Sequence, residues 1–162
     1  MNTSKVLISQ YLAALEMLKQ TIMECPEERW DRPDDKVKFW NVAYHALFYA
    51  HLYLQDSAQA FVPWIKHQEG YHQIGKLPDA PAAAEPYTQE SVLEYLTFCQ
   101  HEVRQKLAHM NLEAASGFDW LPFSKFELHI YSIRHIQQHV GELMERLGSG
   151  AGIDIDWVGA YS

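Results

Sequence analysis

Residues 123–148, FSKFELHIYSIRHIQQHVGELMERLG, decide the fold. Ser124 with Glu127 three residues on makes a capping box, and Phe123 with Leu128 makes the accompanying hydrophobic staple. Behind this start Phe126, Ile130, Ile133, Ile136, Val140, Leu143, Met144 and Leu147 recur at helical spacing and form one apolar arc. Gly148 can supply the residue that closes the last turn. The stretch predicts a helix over 124–147 that needs other helices to cover its arc.

Working outward, three more segments carry the same periodicity and none sustains strand alternation. The first spans about 4–25, with Val6, Leu7, Tyr11, Leu15, Leu18 and Ile22 in one stripe and Pro26 to stop it. The second spans about 36–58, with Asp34 or Asp35 as N-cap after Pro33. It is apolar nearly all round through Val37, Phe39, Trp40, Val42, Tyr44, Leu47, Phe48 and Leu52, a pattern of deep burial. The third spans about 88–110, capped by Thr88 and carrying Val92, Leu93, Leu96, Val103 and Leu107. Between the second and third lies an irregular stretch, about 59–87, that ends in the Pro/Ala-rich run GKLPDAPAAAEP. A connection this long lets those two helices run parallel through a crossover. The reading is an all-α, single-domain four-helix bundle over 1–162. Residues 148–162 form a tail that packs back through Ile153, Ile155 and Trp157.

Composition narrows the function classes. The chain of 162 residues is long enough to bury a core without staples, and its 48 % hydrophobic and 21 % charged residues are globular proportions. A net charge of −8 argues against nucleic-acid and anionic-lipid surfaces, which need clustered Lys and Arg. No stretch reaches the length of an apolar span, and MNTSKVLISQ lacks a signal-peptide core, so a cytoplasmic location is expected. Cys25 and Cys99 are far apart and read as two reduced, buried thiols. The aromatic richness reads as core and interface, leaving a homodimer open. No phosphate loop, nucleophile elbow or HExxH motif is present.

The nine histidines are out of proportion. His135 and His139 stand one turn apart, so both imidazoles leave the same helical face beside the apolar arc. That is a spacing for two ligands on one metal at the edge of a bundle. A third ligand has to come from a facing helix, where His45 and His51 both sit in apolar surroundings. The ordinary alternative for either is a core histidine hydrogen-bonded to a carbonyl or a tyrosine. Glu69 and His72 have the Glu-x-x-His spacing of di-iron bundles, but Gly70 and the absence of a second such motif argue against that site. His101, His109 and His129 read as surface or boundary residues.

FWNVAYHALFY on the second helix and RHIQQHVGEL on the fourth resemble the DinB-like superfamily, of the DinB/YfiT type. The ending Arg134-His135, His139, Gly141-Glu142-Leu143 is similar to that family's RHxxxHxGQL pattern, with Glu142 where glutamine is commoner. Trp40 followed by His45 resembles the helix-two pattern of one branch. The resemblance thus implies one divalent metal on His45, His135 and His139, with His51 in reserve. Zinc or nickel comes first among the ions, with manganese or iron open. It also implies activation of a low-molecular-weight thiol toward a small electrophile, as in a metal-dependent thiol (S-)transferase or detoxification enzyme. In that picture the long loop and the Trp157 tail wall the electrophile's pocket. The alternatives are a non-enzymatic metal-binding or partner-binding bundle and a metal-assisted hydrolase.

Overall fold

Asn2, Thr88 and Ser124 each accept a hydrogen bond from the N–H three residues on, and each starts a long helix. The computed structural model describes residues 2–74 and 85–161. In it the helices are α1 (Thr3–Glu24), α2 (Glu27–Trp30), α3 (Phe39–Tyr53), α4 (Gln89–Leu107) and α5 (Lys125–Ala151). Among the described residues there is no strand, only one isolated antiparallel bridge between Ala115 and Ser124. No described helix is long and apolar enough to cross a membrane. Residues 75–84, most of the Pro/Ala-rich run, lie outside the described residues.

The all-α expectation holds, and the helix ends differ from the sequence reading for identifiable reasons. The single turn α2 follows Pro26 directly, with Glu27 and Glu28 in its first turn, and buries Trp30, whose indole N–H donates to the Tyr87 carbonyl (2.7 Å). Neither Asp34 nor Asp35 caps α3. The helix starts at Phe39 behind Lys38, whose ammonium instead ties down the Arg32, Pro33 and Asp35 carbonyls. At its other end α3 stops at Tyr53, short of 58. The buried Lys125 ammonium takes the Gln55 and Asp56 carbonyls (2.8 and 3.0 Å), so those groups need no further turn. Gly117 (φ +86°) lies so close there that a Cβ would meet the Asp56 carbonyl. α5 runs one turn past Gly148 and ends at Gly152, whose left-handed conformation (φ +68°) turns the chain.

α1 packs on α4 and α5, and α3 packs on the same two helices. α1 and α5 run in one direction, Tyr11 meeting His129 and Met17 meeting Gln137. α3 and α5 run oppositely, since Arg146 reaches Val37 while Tyr53 faces Tyr131. α3 and α4 run the same way, Trp40 lying near Tyr87 and His51 near Phe98. Tyr11, Leu15, Leu18, Tyr44, Leu47, Tyr95, Leu96, Ile136 and Val140 are fully enclosed between them. Cys25 and Cys99 are buried and unpaired with each other.

The apolar arc of α5 divides. Ile136, Val140, Leu143 and Leu147 face the core, whereas Phe126 and Ile130 are about 40 % exposed and, with the exposed Val6, flank an open groove along α1. In the tail Ile153 and Ile155 pack against the core, but Trp157 is exposed. The tail continues along α1, where Gly159 accepts from Gln10 and the Tyr161 N–H donates to Ser9.

At the start of α5 the Ser124 half of the capping box forms, its hydroxyl accepting from the Glu127 N–H (3.2 Å). The N–H groups of Lys125 and Phe126 are taken by the Ala114 and Leu112 carbonyls (2.8 and 2.9 Å). Ser124→Ala is therefore expected to remove one cap bond and cost about 1 kcal/mol. Urea denaturation checks this; an unchanged midpoint at unchanged slope contradicts the cap.

Candidate metal centre

The antiparallel contact of α3 and α5 sets His45 opposite His135 and His139. The Nε2 atoms of His45 and His139 each lie 3.1 Å from Nε2 of His135. One nitrogen from each of the three rings falls within 4.8 Å of the others. Two imidazole nitrogens bound at about 2.05 Å to one ion are about 2.9 Å apart at a right angle and about 3.3 Å apart at the tetrahedral angle. The observed separations of 3.1 Å lie between these limits.

Counting protons shows what is missing from the cluster. His45 Nδ1 is 2.6 Å from the His72 carbonyl oxygen, which can only accept, so Nδ1 carries the hydrogen. His139 Nδ1 is 3.2 Å from a Glu142 carboxylate oxygen and carries its hydrogen for the same reason. Burial pushes the pKa of His45 down to about 4 and that of His135 down to about 3, with neighbouring imidazoles opposing a charge on either. In His45, which burial keeps neutral, the Nε2 is then a bare lone pair. His135 has one hydrogen, and its Nδ1 is buried with no partner among the described residues. Wherever that hydrogen sits, the single His135 Nε2 cannot make a proper hydrogen bond to both partners, so at least one of the two contacts is left unmatched. Such an arrangement of buried acceptors is costly when left as it is. A single divalent cation satisfies all three nitrogens at once, so the donor set fits a metal.

The surroundings hold the cluster in shape. The Tyr49 ring lies 4.8 Å from the His45 ring and 5.7 Å from that of His135, centroid to centroid. His72 stacks on Phe48 at 4.2 Å, and Asn41 Nδ2 donates to the Tyr71 carbonyl (2.6 Å), so the loop presenting the His72 carbonyl is fastened along α3. These partners fix which imidazole nitrogen faces inward, the role that outer groups play around bound metals.

The other histidines are accounted for separately. His51, the reserve ligand, is a core residue: it is buried, bonded through Nδ1 to the Tyr95 hydroxyl (3.0 Å), and edged by Phe61 and Phe98. His129 is no boundary residue but fully buried, between the Tyr11 hydroxyl (3.1 Å) and Met110 sulfur (2.9 Å). Its spacing of seven from Ile136, and again from Ile136 to Leu143, was a legible sign of the core face. His101 and His109 are exposed. His67 pairs with the Tyr44 hydroxyl (2.7 Å), and Glu69 lies in non-helical chain with its carboxylate exposed, so it does not join His72 in a metal site. The Trp157 tail continues along α1, and Trp157 itself is exposed. The partners of His45 and His139, His72 and Glu142, had no role assigned by the sequence reading.

His51 and His129 are almost fully buried, and burial holds their pKa values down to about 4 and about 3 against an ordinary 6.5. Below pH 6.5 the unfolded chain takes up protons at these positions while the folded chain does not, so stability falls as pH falls. Each histidine contributes a slope of about 1.4 kcal/mol per pH unit over the range where only the unfolded form is protonated. Between pH 6 and pH 4.5 the metal-free protein is expected to lose stability steeply, and His129→Gln to remove about one proton from that slope. Urea melts across this range check it, and parallel slopes for the two proteins contradict it.

Compared with family models, with curated proteins and with solved structures, the chain matches none.

Proposed function

We propose that this chain is a divalent-metal-binding DinB-like protein whose ion sits on His45, His135 and His139 and activates the sulfur of a low-molecular-weight thiol toward a small electrophile. One observation carries the metal half of this reading: three imidazoles converge through Nε2, and no placement of hydrogens satisfies both 3.1 Å contacts at His135. The thiol half rests on the resemblance of the helix-two and helix-four motifs. The shared direction of α3 and α4 supports reading the four long helices as one bundle with a crossover between those two.

Three histidine ligands leave a position for water or substrate. A bound divalent ion supplies Lewis acidity there, lowering the pKa of a thiol or water. The protein's own residues orient the ligands: His72 and Glu142 set the two outer nitrogens, and the Tyr49 ring packs edge-on against His135 and beside His45. All-nitrogen ligation suits the later first-row divalent ions, zinc and nickel among them.

Protein purified without a nickel column and titrated with zinc is expected to bind one ion per chain, with a raised Tm. His139→Ala is expected to abolish tight binding while costing little stability in metal-free protein. Calorimetric titration with elemental analysis checks both. The absence of stoichiometric binding in the wild type sinks the metal reading. The loaded protein is further expected to accelerate consumption of a small thiol by an electrophile, with loss on chelation and recovery on adding the ion. Metal binding with thiol consumption at the background rate removes the transferase reading and leaves a metal-holding bundle.

A further inference from the structure

Glu142 does more than touch His139. One carboxylate oxygen lies 3.2 Å from His139 Nδ1, and the other accepts from the Arg146 guanidinium at 2.5 Å. A second Arg146 nitrogen donates to the Val37 carbonyl at 2.8 Å, two residues before α3 begins. A continuous chain of hydrogen bonds thus runs from the outer nitrogen of one ligand histidine, along α5, to the segment that leads into the helix bearing His45.

We infer that Glu142 is a positioning residue for the metal centre, held by Arg146, which couples the His139 ring to the spacing of α3 and α5. The inference rests on the metal reading above and deepens it. The ordinary explanation, an exposed pair of opposite charges four residues apart on a helix, accounts for the Glu142–Arg146 contact alone. It leaves unexplained why the carboxylate also meets the outer nitrogen of a ligand and why the guanidinium also meets the opposite chain. A carboxylate has two acceptor oxygens for these two donors. A side-chain amide has one oxygen, and its NH2 would face a donor on the other side. Glu142→Gln can therefore serve His139 or Arg146, not both.

The test measures zinc affinity by calorimetry with a competing chelator, together with the visible spectrum of the cobalt(II)-loaded protein. Glu142→Ala is expected to weaken zinc binding by about 10- to 100-fold, the usual cost of losing such an outer partner. Its cobalt spectrum is expected to shift, and Glu142→Gln to fall between it and the wild type. Glu145→Ala removes the same charge three residues on, where the carboxylate meets only Ser149 among the described residues, and is expected to leave affinity and spectrum unchanged. A wild type that binds no zinc fails the metal reading itself. If the wild type binds, a loss below fivefold in Glu142→Ala, or an equal loss in Glu145→Ala, overturns the positioning role. Should Glu142→Ala not fold, Glu142→Gln decides by the same threshold.

Discussion

Three imidazole nitrogens with no proton to spare among them set the condition that the rest of the structure has to meet. His45, His135 and His139 are held with their Nε2 atoms face to face, and nothing among the described residues resolves that arrangement. Left bare it is a strained, poorly satisfied polar cluster; with a cation it is a ligand set. The groups around it, a backbone carbonyl, a carboxylate and a tyrosine ring, all act to keep the nitrogens pointing at one spot.

The apolar scaffold makes this affordable. The enclosed tyrosines and leucines of α1, α3 and α4 and the inward stripe of α5 form a core that does not depend on the histidines. Conformational entropy is offset by that burial, so the cluster can be optimised for an ion rather than for folding. Several buried polar groups elsewhere have partners: His51 and His129 each have a tyrosine hydroxyl and Lys125 has two carbonyls, whereas the buried Ser132 hydroxyl and His72 Nδ1 have none among the described residues. His135 differs from those single orphaned atoms in that its ring also meets two other imidazole nitrogens at 3.1 Å, which is why the metal reading is placed there.

Much of this was legible in the sequence where the signal is local. The cap at Ser124, the cap at Thr88 and the pairing of His135 with His139 depend on residues three or four apart, and they are found as read. Signals that depend on distant partners were not. The ends of α3 are set by the side chain of Lys38 and by Lys125 some seventy residues away, which no local pattern announces. Gly148 looked like a stop because glycine is rare in helices, yet one interior glycine costs only about 1 kcal/mol, and the turn is made by Gly152. The residues alone left His45 and His51 both open and only the resemblance put His45 first; the structure adds Tyr95, whose hydroxyl claims His51 for the core. The arc on α5 was read as one face because Phe126 and Ile130 share its period, although they border an open groove.

The central claim is that these three nitrogens bind one ion together. X-ray absorption at the metal edge of protein purified without affinity metal tests it most directly. The account requires about three imidazole nitrogens at about 2.0–2.1 Å, with the outer-shell scattering of the rings, and its loss in a His45→Ala, His135→Ala, His139→Ala triple variant. A first shell of oxygen alone, or an unchanged spectrum in the triple variant, would contradict it.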